Sequence, residues 1–211
     1  IFRVAFLVML ERTLGQFMRG AFQVDILRRP PLDLAIKALA IVLVFTALLP
    51  AALAHSLELL LAALLLGRFV FWHPLKGFRR LDIGIMYLGY LAIVAQLLID
   101  ALPPPGATGW VGTVGVHVFT FGAMGLVIPA MIIRIANGHT GRKVVFTRYD
   151  KTVLWIMILA LGLRLVGPQL VPGAYLRWLD LAATCWLLAF GLLGWRTIPR
   201  LFQARIDGKE H

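Results

Sequence analysis

Residues 110–138 read WVGTVGVHVFTFGAMGLVIPAMIIRIANG, an apolar run in which His117 and Arg134 are the only ionisable side chains. A helix of about 20 such residues crosses the roughly 30 Å of hydrocarbon in a bilayer. An apolar run of this length exceeds what a helix in a small soluble domain buries. It therefore predicts a transmembrane helix.

The rest of the chain has the same character. Of its 211 residues, 60% are hydrophobic and 15% are charged, and the mean hydropathy is +0.86. Soluble domains have about 45–50% apolar and 25% charged residues, and a transmembrane β-barrel would show short alternating segments. Further apolar runs lie at about 34–53, 55–73, 81–102, 152–170 and 177–198. We therefore predict an all-α, polytopic membrane bundle with six full transmembrane helices, forming a single domain over residues 1–211.

The first residues, IFRVAFLVMLERTLGQF, lack an initiator methionine. Because Glu11 and Arg12 interrupt the apolar stretch, it does not have the continuous apolar region of a secretory signal. We interpret residues 1–18 as a truncated N-terminal transmembrane helix, and the chain as a fragment of a longer protein. The sequence PPPG at 103–106 predicts a turn, and Gly138 predicts a helix C-terminus.

Basic residues fall almost entirely on one side of the predicted bundle. In membrane proteins such residues collect in the cytoplasmic loops. Arg177 alone lies on the opposite side, against fifteen lysines and arginines. The fifteen are Arg19, Arg28, Arg29, Lys37, Lys76, Arg79, Arg80, Arg142, Lys143, Arg148, Lys151, Arg196, Arg200, Arg205 and Lys209. We predict a cytoplasmic C-terminus. This topology accounts for the net charge of +11, so lipid and not nucleic acid is the expected partner.

Several kinds of chemistry are excluded or unsupported. The single Cys185 allows no internal disulfide, and the absence of a C-x-x-C-H sequence excludes covalent c-type haem attachment. The sequence contains no P-loop and no Ser/His/Asp or Cys/His set of the kind that hydrolases use. Whether the chain catalyses a reaction is left open.

The histidines are expected at two levels of the membrane. His55 and His117 lie toward the non-cytoplasmic side, His73 and His139 lie at cytoplasmic ends, and His211 is terminal. Because about 33 Å of helix separates His117 from His139, the two cannot bind the same metal ion. Imidazole binds haem iron, copper and zinc. We therefore consider His117 and His139 as ligands of two separate sites.

A polar cluster is expected at the level of His117. His55 and Glu58 are three residues apart and share a helix face, and Arg164 is expected at the same depth. With His117, these residues are candidate ligands and charge partners for a metal. Two alternatives remain open: a purely structural pair of Glu58 with Arg164 beside an interfacial His55, and a solvated loop position for His139.

Three other charged residues lie near the ends of predicted spans. Arg68, Arg134 and Asp100 are close enough to these ends for their side chains to reach the membrane surface. We expect them to do so.

Residues 117–142, HVFTFGAMGLVIPAMIIRIANGHTGR, resemble a known family. Their skeleton is His117, the GAMG of 122–125, Arg134 and the GHTGR of 138–142. This combination is similar to that of the NnrS family of bacterial membrane proteins. The arrangement of helices over the whole chain also resembles the C-terminal half of that family.

The resemblance implies haem and copper as cofactors and a role in the response to nitric oxide and nitrosative stress. It implies His117 and His139 as metal ligands, Arg134 and Arg142 as partners of haem propionates or other anions, and nitric oxide or a related species as a partner. It also implies the bacterial inner membrane as the location, and an N-terminal half of the same chain as a further partner.

Two other function classes remain alternatives. In a transporter or channel, Glu58, Arg164 and Asp100 would line a polar path, and Pro129 would mark a broken helix. The third class is a structural subunit of a larger complex. Pro129 also predicts a kink, because it removes a backbone hydrogen bond.

Overall fold

The computed structural model describes residues 1–103, 109–206 and 208, and within these residues the chain is helical without β-strands. The α-helices are α1 (Phe2–Phe22), α2 (Pro30–Val42), α3 (Ala51–Phe71), α4 (Pro74–Gly77), α5 (Leu81–Ala101), α6 (Val114–His117), α7 (Gly125–His139), α8 (Arg148–Leu165), α9 (Gly167–Leu170) and α10 (Tyr175–Leu201). Leu43–Leu48 and Pro172–Ala174 are 3₁₀-helices, and Val118–Met124 is a π-helix.

Within the described residues, six helical segments are long and apolar enough to cross a membrane, which confirms the predicted all-α membrane fold. They are Pro30–Leu48, Ala51–Phe71, Leu81–Ala101, Val114–His139, Arg148–Leu170 and Pro172–Leu201. Each corresponds to one of the predicted apolar runs, with bounds that differ by a few residues. The first helix, α1, extends to Phe22 and so beyond the predicted end at residue 18.

The predicted helix end at Gly138 is correct to within one residue. Helix α7 continues to His139, and the residue with left-handed backbone geometry is Gly141, at a φ of 70°. Gly141 takes this conformation at little cost because it has no Cβ. Three residues of the predicted PPPG turn lie outside the described residues, as do Lys209 and His211.

Helix α5 lies at the centre of the bundle, where it packs against α1, α3 and α7. Its side chains are buried on most of its circumference, including Tyr87 and Tyr90. In a bilayer a buried hydroxyl has no water to bond. Accordingly, the Tyr90 hydroxyl donates to the Leu65 carbonyl at 2.8 Å, and that of Tyr87 donates to the Trp72 carbonyl. These two bonds attach α5 to the C-terminal part of α3.

Helix α1 packs by a narrow apolar stripe. Leu7, Leu10, Leu14 and Met18 recur three or four residues apart and are completely or almost completely buried. This spacing places them on one face of the helix. The first helix is therefore an integral part of the bundle in this structure.

Small residues bring the segment after His117 close to α5. A Cβ added to Gly122 would lie 2.6 Å from the Cβ of Ala92, a distance too short for two carbon atoms. This confirms the packing role that small residues commonly have between membrane helices. The π-helix of Val118–Met124, which the sequence did not predict, contains this contact.

The segments rich in basic residues meet at one end of the bundle. Ile206 N donates to the Thr140 carbonyl at 3.2 Å, and Leu27 N donates to the Phe71 carbonyl at 3.4 Å. The C-terminal segment therefore lies beside the turn after α7, and the connection before α2 lies beside the end of α3. Consecutive spans run in opposite directions, so the ends of α3, α7 and α10 lie at this same end of the bundle.

Candidate functional site

His117 meets a buried arginine at one end of the bundle. It lies in α6, three residues after the beginning of its membrane-spanning segment, and Arg164 lies in the last turn of α8. The His117 Nε2 is 2.5 Å from a terminal guanidinium nitrogen of Arg164. Because a guanidinium only donates hydrogen bonds, Nε2 must be the acceptor and Nδ1 carries the proton of a neutral imidazole. The lone pair of His117 Nε2 therefore accepts the hydrogen bond from Arg164.

Three helices contribute to this site. Arg164 also donates to the hydroxyl of Tyr175, the first residue of α10, at 3.2 Å, and its guanidinium lies 5.5 Å from the centre of that ring. The His117 ring contacts Phe121 edge-on. Buried His117 Nδ1 and Arg164 Nε lack hydrogen-bond partners among the described residues. This cluster of His117, Arg164 and Tyr175 is the best-defined polar site at this level.

The structure does not place Glu58 in that cluster, so the expected four-residue arrangement is wrong. Glu58 is buried in α3 and lines a separate cavity of about 310 Å³ with Arg3, Gln96 and Asp100. Arg3 forms an ion pair with Asp100 at 3.4 Å. Helix α1 therefore supplies a different cation, Arg3, to the cavity that Glu58 lines.

His55 is exposed on α3, and His139 is exposed at the end of α7. Within the described part of the chain, no hydrogen bond or ion pair holds the imidazole of either residue. Beside His139, Thr140 is buried and its hydroxyl donates to the Ala136 carbonyl at 2.7 Å. His139 can therefore accept an external ligand without first losing a partner in the chain.

Arg134 was expected to reach the membrane surface or to meet an anion, but its side chain is held inside the bundle. It donates to the Asp82 carboxylate at 3.1 Å and to the Asp82 carbonyl at 2.9 Å. Its guanidinium also lies 4.0 Å from the ring centre of Phe17 and 5.1 Å from that of Phe146. Asp82 also pairs with Arg80 at 3.0 Å, so a single carboxylate is shared by two guanidinium groups.

Arg142, the other arginine expected near an anion, has a more open environment. One terminal nitrogen donates to the Gln203 side-chain carbonyl at 2.9 Å. The other terminal nitrogen is buried and has no hydrogen-bond partner among the described residues. Arg142 can therefore bind an anionic group without breaking its contact with Gln203.

Arg68 does not reach the membrane surface, contrary to the sequence-based expectation. It is 1% exposed, and one terminal nitrogen is 3.3 Å from Glu11 and 3.4 Å from Asp33. Lys37 pairs with Glu11 at 3.1 Å, and Tyr90 accepts from Arg68 at 3.3 Å. This charge cluster has two positive and two negative members. In the sequence, the presence of both positive and negative charges inside the predicted spans could have indicated this cluster.

The histidines do not form a complete metal site by themselves. Among residues 1–103, 109–206 and 208, no three His, Cys, Asp or Glu side chains lie close enough to hold one ion. Each end of the Val114–His139 segment therefore offers a single imidazole. One imidazole suffices as the axial ligand of a haem, whereas copper and zinc sites usually take several protein ligands.

The chain matches the family model described as NnrS protein over residues 1–205. Comparison with curated proteins gave no significant match, and comparison with solved structures gave none either. The match includes every described helix and both of the histidines at the ends of the Val114–His139 segment. The chain therefore belongs to the NnrS family of membrane proteins.

Proposed function

We propose that this chain is a haem- and copper-binding membrane protein of the bacterial response to nitric oxide and nitrosative stress. The observation that carries the proposal is the NnrS match over residues 1–205. His117 and His139 lie at opposite ends of one helical segment, which supports two separate sites. The proposed location is the bacterial inner membrane, with the C-terminus in the cytoplasm.

The residues fit the two cofactors unequally. His139 could hold the haem iron, because its imidazole is exposed and has no hydrogen-bond partner among the described residues. His117 fits only if Arg164 moves, because a metal requires the lone pair that Arg164 now occupies. We therefore propose haem at the level of His139. Copper or a second haem at the level of His117 would displace the Arg164 contact.

Bound haem or copper would supply the redox chemistry and the binding of a small diatomic molecule. The chain would supply ligands, burial and access. Nitric oxide is small and apolar, so it can reach the bundle through the lipid. The ion pair of Arg134 with Asp82 would hold α7 against α5 and so fix the position of His139.

Spectroscopy of the purified, full-chain protein tests the proposal. We expect a Soret band and copper in metal analysis. His139→Ala should lower the haem signal, and His117→Ala should lower the metal content of the other site. His73→Ala is the matched control, because His73 is also exposed at the His139 end but lies outside this segment.

Two results would contradict the proposal. Full haem and full copper in both variants would exclude His117 and His139 as ligands. Identical partial losses in both variants, with lower thermal stability, would indicate a single cooperative site or a folding defect.

The transporter alternative has weaker support. Its predicted polar path consists of Glu58, Asp100 and Arg164. Glu58 and Asp100 do line one cavity, together with Arg3, but Arg164 lies with His117 and Tyr175. No hydrogen bond or ion pair between described residues connects the two groups. The geometry thus favours separate sites over one continuous path.

A further inference from the structure

A basic cavity lies where α10 ends and α8 begins. Its volume is about 490 Å³. The lining includes Arg142, Tyr149, Trp195, Arg196, Arg200 and Gln203. Arg142 follows the end of α7, so three parts of the chain contribute to one cavity.

The cavity carries excess positive charge. Arg196 approaches Asp150 at 3.5 Å, and Asp150 also accepts hydrogen bonds from Thr147 at the beginning of α8. Asp150 therefore offsets one of the three guanidinium charges. One buried terminal nitrogen of Arg142 remains without a hydrogen-bond partner among the described residues, whereas the Arg196 Nε faces the Asp150 carboxylate. Donors of this kind are suited to an anion with several oxygens, because guanidinium groups bind phosphate in two-pronged geometry.

The position of the cavity indicates where the anion comes from. Arg200 and Trp195 lie in the last two turns of the Pro172–Leu201 membrane-spanning segment. The Trp195 side chain is 84% exposed. Tryptophan is enriched at the level of lipid headgroups, and basic pockets between transmembrane helices bind phosphate-bearing headgroups. These two features predict that the cavity opens at the depth of the lipid phosphates.

We propose that this cavity binds the phosphate of an anionic lipid headgroup. The bound phosphate would contact Arg142 and Arg200 and supply an acceptor for the unpaired terminal nitrogen of Arg142. It would also join the turn after α7 to the end of α10, which Arg142 and Gln203 already connect. This inference does not depend on the proposed function.

Lipid binding to the full-chain protein tests this site. Delipidated protein in detergent is titrated with phosphatidylglycerol or with zwitterionic phosphatidylcholine, and native mass spectrometry measures the bound fraction. We expect tighter binding of phosphatidylglycerol. Arg142→Gln and Arg200→Gln should each weaken that binding about fivefold, the effect of roughly one basic contact to an anionic headgroup.

Arg148→Gln is the matched control. Arg148 begins α8 at the same end of the bundle and has the same charge, but its side chain is exposed and does not line the cavity. Its substitution should leave the preference for phosphatidylglycerol unchanged. Arg200→Lys should retain most of the binding, because it keeps the positive charge. Thermal stability of every variant distinguishes loss of the site from loss of the fold.

Several outcomes would overturn the inference. Equal affinity for the two lipids in the unmodified protein would do so, whether or not the variants fold. Inorganic phosphate that binds as tightly as phosphatidylglycerol would assign the cavity to the free anion. A changed haem spectrum with unchanged lipid preference in Arg142→Gln would assign it to haem carboxylates instead. An equal loss in Arg148→Gln would indicate general surface charge.

Discussion

Arg68 carries a positive charge inside the bundle, and its neighbours determine whether that charge stabilises the fold. A charged group taken out of water loses several kcal/mol of hydration, which only close partners offset. Arg68 has two carboxylates and a tyrosine hydroxyl as partners, and its guanidinium also lies 4.6 Å from the centre of the Trp72 ring. Since α1, α2, α3 and α5 all contribute, this residue connects four helices.

Arg68→Leu should therefore destabilise the protein strongly. The substitution leaves the buried Asp33 and the partly buried Glu11 without Arg68, while Lys37 still pairs with the Glu11 carboxylate. Breaking a buried ion pair from one side costs about 3–5 kcal/mol. The measurement is the free energy of unfolding in mixed detergent micelles. Arg19→Gln is the control, because the Arg19–Asp25 pair is exposed and should contribute at most about 1 kcal/mol.

The contact between His117 and Arg164 predicts a specific coupling. In a double-mutant cycle with His117→Gln and Arg164→Gln in metal-depleted protein, we expect an interaction energy of about 0.5–3 kcal/mol, as is usual for residues in contact. The matched cycle pairs Glu58→Gln with Arg164→Gln. Its interaction energy should be close to zero, because Glu58 lies in another cavity.

This comparison distinguishes the structure from the sequence-based hypothesis. The sequence placed Glu58, His117 and Arg164 at one depth, and depth follows from position along a helix. It did not show which helix faces which, because rotation about the helix axis and the order of neighbours depend on packing. Coupling of Glu58 and not of His117 to Arg164 would contradict the observed arrangement.

At the level of elements, the segment from Val114 to His139 combines three helical geometries. An α-helical turn ends at His117, a π-helix runs from Val118 to Met124, and α7 continues with Pro129 inside it. The apolar pattern predicts the whole segment because any helix satisfies backbone groups in lipid. It does not reveal the π-helix, within which Gly122 lies close to Ala92 of α5.

Gly122→Ala should weaken the packing of this segment on α5. The new Cβ would overlap the Cβ of Ala92, and overpacking of this kind usually costs about 1–3 kcal/mol. Gly162→Ala in α8 is the control, because a Cβ there meets no atom within 4 Å. It should be neutral or stabilising, by about 0.5–1 kcal/mol. Unfolding of both variants is measured in the same detergent.

A second substitution tests whether the overlap is the cause. The double variant Gly122→Ala/Ala92→Gly lacks the opposing Cβ. Its free energy of unfolding should therefore fall by less than the sum of the decreases in the two single variants. Strict additivity would show that the loss in Gly122→Ala comes from the π-helical backbone and not from Ala92.

At the scale of the whole molecule, the number of spans and their approximate bounds followed from the sequence because bilayer thickness fixes the length of an apolar run. The buried charge cluster around Arg68 did not follow, since proximity to a span end also permits contact with the membrane surface. Only the neighbouring helices decide between these two environments. The same holds for Arg134, which Asp82 holds inside the bundle.

The distribution of basic residues predicts the orientation of the whole bundle. In a Cys185→Ala background, Gly173→Cys should react with an impermeant maleimide from the periplasm of intact cells, whereas Lys76→Cys should react only after permeabilisation. Both positions are exposed, and a Cβ at Gly173 meets no atom within 4 Å. Lys76 lies on the side that carries fifteen basic residues, and cytoplasmic loops are enriched in such residues. Labelling of Lys76→Cys and not Gly173→Cys in intact cells would reverse the orientation. The level of His139 would then face the periplasm, and the proposed headgroup site would lie in the outer leaflet.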